Sequence, residues 1–138
     1  MTLAKITRQQ VSDKQRIQHT ADLFGLQFPL RIEPYIFSLA AGLSADYEGG
    51  YWHFYTLSNG GFYMAPNDEQ IFNVIADNGF EGKLSADALG IAACLYAYSH
   101  LSFRDNPALA LPCAEHYHLL RDYMLEHAEV DKILGAID

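Results

Sequence analysis

The run from Gly49 to Pro66, GGYWHFYTLSNGGFYMAP, constrains the fold more than any other stretch of the chain. It is crowded with Tyr, Trp and Phe and contains no Lys, Arg, Asp or Glu. At its centre lies Asn59-Gly60, a strong hairpin signal because a type I′ turn needs positive φ at both central residues. Pairing Ser58 with Gly61 places Leu57 opposite Phe62 and Tyr55 opposite Met64 on one face. Trp52, Phe54, Thr56, Tyr63 and Ala65 then fall on the other. Both faces are apolar, whereas a hairpin with one wet face alternates cleanly between apolar and polar residues. Such a hairpin lies between two layers or keeps one face for a partner.

The flanking sequence supplies those layers. Residues 1–11 are polar and basic and are expected to form a flexible N-terminal segment. Ser12 reads as the N-cap of a helix to Phe24, with Ile17, Ala21 and Phe24 at helical spacing and Gly25 placed to stop it. A second helix is expected from Pro34, carrying Tyr35, Ile36, Leu39, Ala40 and Leu43. After the first hairpin, QIFNVIAD (Gln70 to Asp77), Asn78-Gly79 and Phe80 to Leu84 read as a second. Ser85 caps a helix, SADALGIAACLYAYSHLSF, whose Ala88, Gly90, Ala92 and Ala93 allow close packing on a sheet. Asn106-Pro107 breaks the chain. A long helix is expected over residues 112–128 and a short one over 129–136. Strands grouped between helices, without βαβ alternation, predict a single compact α+β domain over residues 12–138. Its small antiparallel sheet of two hairpins is expected to pack between N-terminal and C-terminal helices.

Charge excludes some functions. Of 138 residues, nine are Lys or Arg and seventeen Asp or Glu. Residues 1–34 hold five basic groups against three acids, while the remainder holds four against fourteen. No Lys or Arg occurs between Arg31 and Lys83. Nucleic-acid binding draws its affinity from Lys and Arg at phosphates, and base-stacking sheets surround their aromatics with basic groups. The hairpin region lacks them, so direct nucleic-acid binding is not expected. The acidic surplus suits a basic protein partner or serves solubility. MTLAKITRQQ has no apolar h-region, and LGIAACLYAY is about half a membrane span. Cys94 and Cys113 read as buried thiols, so a reducing cytoplasm is expected.

Sites of chemistry are sparse. Cys113, Glu115, His116 and His118 lack the second pair that zinc needs, and Glu115-x-x-His118 has no second copy for a di-iron site. Their helical spacing puts His116, Leu119, Leu120 and Tyr123 toward a core and Glu115, His118, Asp122 and Glu126 toward water. No metal or cofactor is expected. No nucleophile elbow or glycine-rich phosphate loop is present. Asp46 and Glu48, with His53 on the following strand, form the one arrangement that an acid–base enzyme could use.

The run YEGGYWHFYTLSNGGFYMAP (Tyr47 to Pro66) resembles the signature of antirestriction proteins of the ArdB/KlcA type. FEGKLSADALGIAACLYAYSHLSF and the last helix, from AEHYHLLRDYMLEH to ILGAID, are similar too, so the resemblance covers roughly residues 12–138. It implies a small α+β protein of plasmids, transposons and genomic islands that helps incoming DNA escape host restriction. The systems evaded are chiefly type I, with cleavage blocked and methylation left alone. It implies neither catalysis, nor a cofactor, nor DNA mimicry. A mimic needs charge near the phosphate spacing, and seventeen acids offset by nine basic residues are too sparse. The expected partner is therefore a host type I restriction enzyme or an associated protein. The expected contact surface is the loop Asp46, Tyr47, Glu48, Gly49 and Gly50, the turn Asn59, Gly60 and Gly61, and any exposed ring among Trp52, Phe54 and Tyr63. An acidic patch of Glu126, Glu129, Asp131 and Asp138 is the second candidate surface. Two other readings stay open: an enzyme built on Asp46, Glu48 and His53, and a scaffold or oligomerisation module using an exposed sheet face.

Overall fold

The computed structural model describes residues 5–138. Strand β1 (Arg8–Gln10) leads through a 3₁₀ turn (Asp13–Gln15) into helix α1 (Arg16–Phe24). A π-helical turn (Phe28–Ile32) runs into α2 (Glu33–Leu43). Two hairpins follow, β2 (Trp52–Leu57) with β3 (Phe62–Pro66) and β4 (Ile71–Ile75) with β5 (Glu81–Ser85). Helices α3 (Ala86–Leu101), α4 (Pro107–Met124) and α5 (Val130–Ile137) complete the chain. The fold is α+β, with helices around the strands as the pattern predicts. The hairpins stay in separate antiparallel sheets, β1-β2-β3 and β4-β5.

The first hairpin is apolar on both faces because it is covered on both, but its register is one residue from the sequence expectation. Tyr55 pairs with Tyr63, Phe54 with Met64 and Thr56 with Phe62. A one-residue shift regroups the faces. Phe62 and Met64 join Trp52 and Phe54, while Tyr63 joins Tyr55. The first group meets Phe24 and Phe28 in edge-on ring contacts, and Trp52 meets Phe37. The second group meets α4, where Tyr63 stacks on Tyr123 at 5.7 Å.

The shift originates in the turn. Leu57 N–H donates to Gly61 O, and Gly60 N–H donates to Leu57 O, enclosing a three-residue loop with only Gly60 at positive φ (93°). This is a type I turn closed by a glycine bulge rather than a type I′ pair. Asn59 stays at negative φ because its amide is used elsewhere. Its Oδ1 accepts from Gly61 N–H (3.0 Å) and its Nδ2 donates to Leu119 O on α4 (2.9 Å). The second hairpin is built identically: Gly79 has φ 95°, Asn78 Oδ1 accepts from Phe80 N–H, and Asn78 Nδ2 donates to Gly135 O on α5. Each asparagine nails a hairpin tip to a helix.

Helix α3 is apolar nearly all round, and such a helix belongs inside. It packs on β3, α2, α4 and α5. Gly90 is the closest approach: a Cβ there would lie 2.4 Å from Met64 O and 2.5 Å from Ala65 Cα. Ser85 caps the helix as expected, its Oγ accepting from Ala88 N–H at 3.1 Å.

Several expectations are corrected. Residues 1–4 lie outside the described residues, but Arg8–Gln10 is not a flexible lead-in: it pairs with β2, and Val11 is buried. Ile17 points outward at 85% exposure, because Thr20 and Phe24 make the inward face of α1. The long C-terminal helix starts at Pro107 rather than residue 112. Asn106 caps it, accepting from Ala108 N–H, and Pro107 fits a first turn that needs no N–H.

Two substitutions probe this frame in urea denaturation. Gly90→Ala drives a methyl into the β3 backbone and is expected to remove roughly 3 kcal/mol. Asn59→Ala loses the tip-to-α4 anchor and is expected to remove about 1–2 kcal/mol with an unchanged denaturant slope.

Candidate interaction face

The start of α3 organises a polar network across three parts of the fold. Asp87, in the first turn, accepts from Arg8 Nη1 (2.7 Å) and from the Tyr63 hydroxyl (2.8 Å) at Oδ1. Arg8 Nη1 also donates to Tyr63 Oη at 2.8 Å, and its guanidinium lies 4.3 Å from the Tyr55 ring centre. At the other carboxylate oxygen, His127 Nε2 stands at 2.8 Å. His127 Nδ1 accepts from Glu129 N–H at 3.0 Å, so a neutral ring carries its proton on Nε2 and donates it to Asp87. Glu129 in turn accepts from Ser85 N–H and from the Ser85 hydroxyl at 2.9 and 2.5 Å. Burial opposes the Asp87 charge, but hydrogen bonds from His127 and Tyr63 and the Arg8 charge outweigh it and hold the carboxyl below its usual range. Burial pushes the Tyr63 hydroxyl far up, so it remains a neutral donor.

Two clefts open beside this network. One, of about 380 Å³, is bounded by Arg8, His53, Tyr55, Glu69 and Asp87. Its neighbour, of about 300 Å³, is bounded by Tyr47, Glu48, Gly49, Gly50 and Tyr51. They share the segment of Pro66, Asn67, Asp68 and Gln70. Four carboxylates (Glu48, Asp68, Glu69, Asp87) thus face one guanidinium, Arg8, which Asp87 already pairs.

The rim is held in place. Tyr47 Oη accepts from Trp52 Nε1 at 2.9 Å. Tyr51 donates to Asp13 and accepts from Arg16 Nη2 (2.6 Å). Asp46 Oδ2 accepts from both the backbone N–H and Nδ2 of Asn73 at 2.8 and 3.0 Å, bonds that lower the carboxyl below its ordinary range. Asp46 thereby caps a backbone donor at the edge of β4. Gly49 and Gly50, at φ 92° and 111°, let the chain turn through the rim.

The structure sorts the sequence candidates. Tyr47, Glu48, Gly49 and Gly50 come together at one cleft, with Asp46 behind them as a fastener. Trp52, 3% exposed, is core, and Phe54 and Tyr63 are buried with it, because the hairpin is covered on both faces. Asn59 and Gly61 dock on α4, Asn59 through its amide and Gly61 with Leu119 Cβ 3.0 Å from where its own Cβ would be, while Gly60 is exposed at the tip. Of the acidic patch, Glu126, Asp131 and Asp138 are exposed, Glu129 turns inward to Ser85, and none lines either cleft. Asp46, Glu48 and His53 do not converge, since Glu48 and His53 stand in different clefts and Asp46 in neither. Arg8, Asp68, Glu69, Asp87 and His127 were not among the candidates. An acid in the first turn of a capped helix was a local hint for Asp87, but no local pattern links it to Arg8, 79 residues away.

The C-terminal metal candidates also separate. Cys113 and His116 are buried, and Glu115 and His118 are exposed. Among the described residues no cluster of three or more His, Cys, Asp or Glu is arranged to hold a metal. No described helix is long and apolar enough to cross a membrane. His116 lies 4.6 Å from Phe24 between ring centres, and burial, with the His19 charge adding to it, brings its pKa down to about 4.

Comparisons with known proteins bear on this arrangement. A family model described as antirestriction protein matches residues 45–138. The antirestriction protein KlcA of Escherichia coli is 42% identical over 137 residues, covering 96% of this chain and 94% of KlcA. YafX of Escherichia coli strain K12 is 41% identical over 140 residues, covering 97% of this chain and 89% of YafX. A solved structure from work on the KlcA and ArdB proteins matches over the whole of both chains, with a TM-score of 0.89 and 37% identity. Those two proteins are described as showing a novel fold and antirestriction activity against type I DNA restriction systems in vivo but not in vitro.

Two titrations should separate in a pH series of thermal melts. His116 is disfavoured in its charged form by the fold, so stability is expected to fall as pH drops from about 6.5 toward 4, while the unfolded chain takes up the proton, by up to about 3 kcal/mol. His116→Leu should flatten that limb. Asp87 is favoured in its charged form, so its contribution is present above about pH 4 and lost below it as the folded carboxyl protonates. Asp87→Asn should flatten the lower limb only.

Proposed function

Because the chain belongs to the antirestriction family of the ArdB/KlcA type, we propose that it relieves cleavage of incoming DNA by host type I restriction-modification systems through contacts with protein rather than DNA. In this reading it is a non-catalytic protein of a mobile element, acting in the cytoplasm and without a cofactor. Its target is the restriction enzyme or a protein associated with it. Activity of KlcA and ArdB in vivo but not in vitro supports an action that needs a further cellular protein.

The observation that carries the mode of action is the pair of acidic clefts. Carboxylates outnumbering a single, already paired guanidinium repel a phosphate backbone, which a DNA-binding face must neutralise. The same charges attract Lys or Arg of a protein segment. Glu48, Asp68 and Glu69 are exposed on a rim that hydrogen bonds hold rigid, so little ordering opposes contact. The contact surface is therefore assigned to Glu48, Gly49, Gly50, Asp68 and Glu69. The separation of Asp46, Glu48 and His53 tells against an acid–base site at this hairpin.

Phage plating on a host with an active type I system tests the function. Expression of the chain should raise the plating efficiency of unmodified phage and leave modified phage unchanged; equal restriction with and without it defeats the reading. A Glu48→Lys, Asp68→Lys, Glu69→Lys triple variant with unchanged melting temperature should lose relief by about tenfold or more. Full relief by that variant would remove the clefts as the contact surface.

A further inference from the structure

A second concavity shares no lining residue with the acidic clefts. It measures about 540 Å³, within the range of sites that enclose a ligand. Ile17 and Ala21 of α1 form one wall, Leu26 and Pro29 the other, and Phe54 of β2 the floor. Ile17 and Leu26 stand at 85% and 76% exposure, although ordinary packing would cover such side chains on at least one side. An apolar groove between a helix and the turn that follows it has the shape that receives an amphipathic helix.

Two charged groups line this groove, and they are not equivalent. Arg16 already has partners: it donates to Tyr51 Oη and Trp52 O, pairs with Asp13 at 3.2 Å and lies 4.1 Å from the Phe54 ring centre. Glu33, at the start of α2, has no hydrogen-bond or salt-bridge partner among the described residues. Burial raises its pKa against the more distant Arg16 charge. A half-buried carboxylate beside apolar walls is most stabilised by a cation that arrives with the occupant.

We propose that this groove receives an amphipathic helix of a partner protein, apolar on the face that meets Ile17, Leu26 and Phe54, with a lysine or arginine placed against Glu33. The proposal does not depend on the antirestriction reading. A second copy of this chain and a small apolar molecule are the competing occupants.

Two synthetic fluorescein-labelled helical peptides test it by anisotropy against the full chain at low salt. They share one leucine face and carry either lysine or glutamate at the central polar position. The lysine peptide is expected to bind about tenfold tighter than the glutamate peptide. Glu33→Gln should shrink that preference to about twofold or less. Ile17→Asp, at an exposed position and with an unchanged melting temperature, should weaken both peptides by about tenfold. The proposal is overturned by an equal or reversed preference, by no binding of either peptide, or by binding that Ile17→Asp and Leu26→Asp leave intact. Sedimentation of the peptide-free chain as a dimer that Ile17→Asp disperses would give the groove to a second copy. An apolar dye that binds there and that neither peptide displaces would give it to a small molecule.

Discussion

The backbone of α3 rests directly on the backbone of β3 at Gly90, and most of the molecule depends on that approach. No residue with a Cβ fits there without movement of the strand. The contact seals one edge of the central hairpin, whose Trp52, Phe54, Phe62 and Tyr63 rings are core. It also brings the first turn of α3 to the mouth of the three-stranded sheet. Asp87 then reaches Arg8 from the N-terminal strand, Tyr63 from β3 and His127 from the segment after α4.

From that junction the proposed contact face follows as geometry. The same backbone path that carries Asp87 inward leaves the segment from Pro66 to Gln70 bridging two clefts. Asp46 and Tyr47 fasten the opposing rim, one to Asn73 and one to Trp52, and leave Glu48, Gly49 and Gly50 outward. The residues of the aromatic motif thus divide by place: Trp52, Phe54, Phe62 and Tyr63 are core, while Tyr51 and Tyr55 join the polar loop in lining the clefts. The acidic rim and the apolar groove beside α1 are different kinds of surface, one lined by carboxylates and the other by exposed aliphatic side chains.

Much of the frame was legible in the sequence. Two-faced apolar strands predict coverage on both sides, and small residues at Ala88, Gly90, Ala92 and Ala93 predict close packing; both are seen. The serine cap of α3 and the buried face of His116 and Leu120 were equally readable. The errors share one cause, which is long-range contact. Asn59-Gly60 signals a two-residue turn, yet Asn59 spends its amide on α4, the loop takes three residues and the register moves by one. Ile17 has helical spacing with Ala21 and Phe24, but Phe24 and Thr20 set the inward face of α1. Glu129 leaves the acidic patch because it is claimed by Ser85, 44 residues away, while Glu126, Asp131 and Asp138 stay exposed.

By itself the sequence determined the family, the α+β class, the layered hairpin and most helix boundaries, since these rest on motif, local spacing and capping. Only the tertiary structure decided the strand register, the fate of Trp52 and Asn59, and the joining of Arg8 to Asp87. It alone showed that Glu48 and His53 line different clefts and that Glu33, beside an apolar groove, has no hydrogen-bond or salt-bridge partner among the described residues. The physical reason is that a side chain's partners across tens of residues are set by which backbones can approach, and one missing Cβ on α3 governs the closest of those approaches.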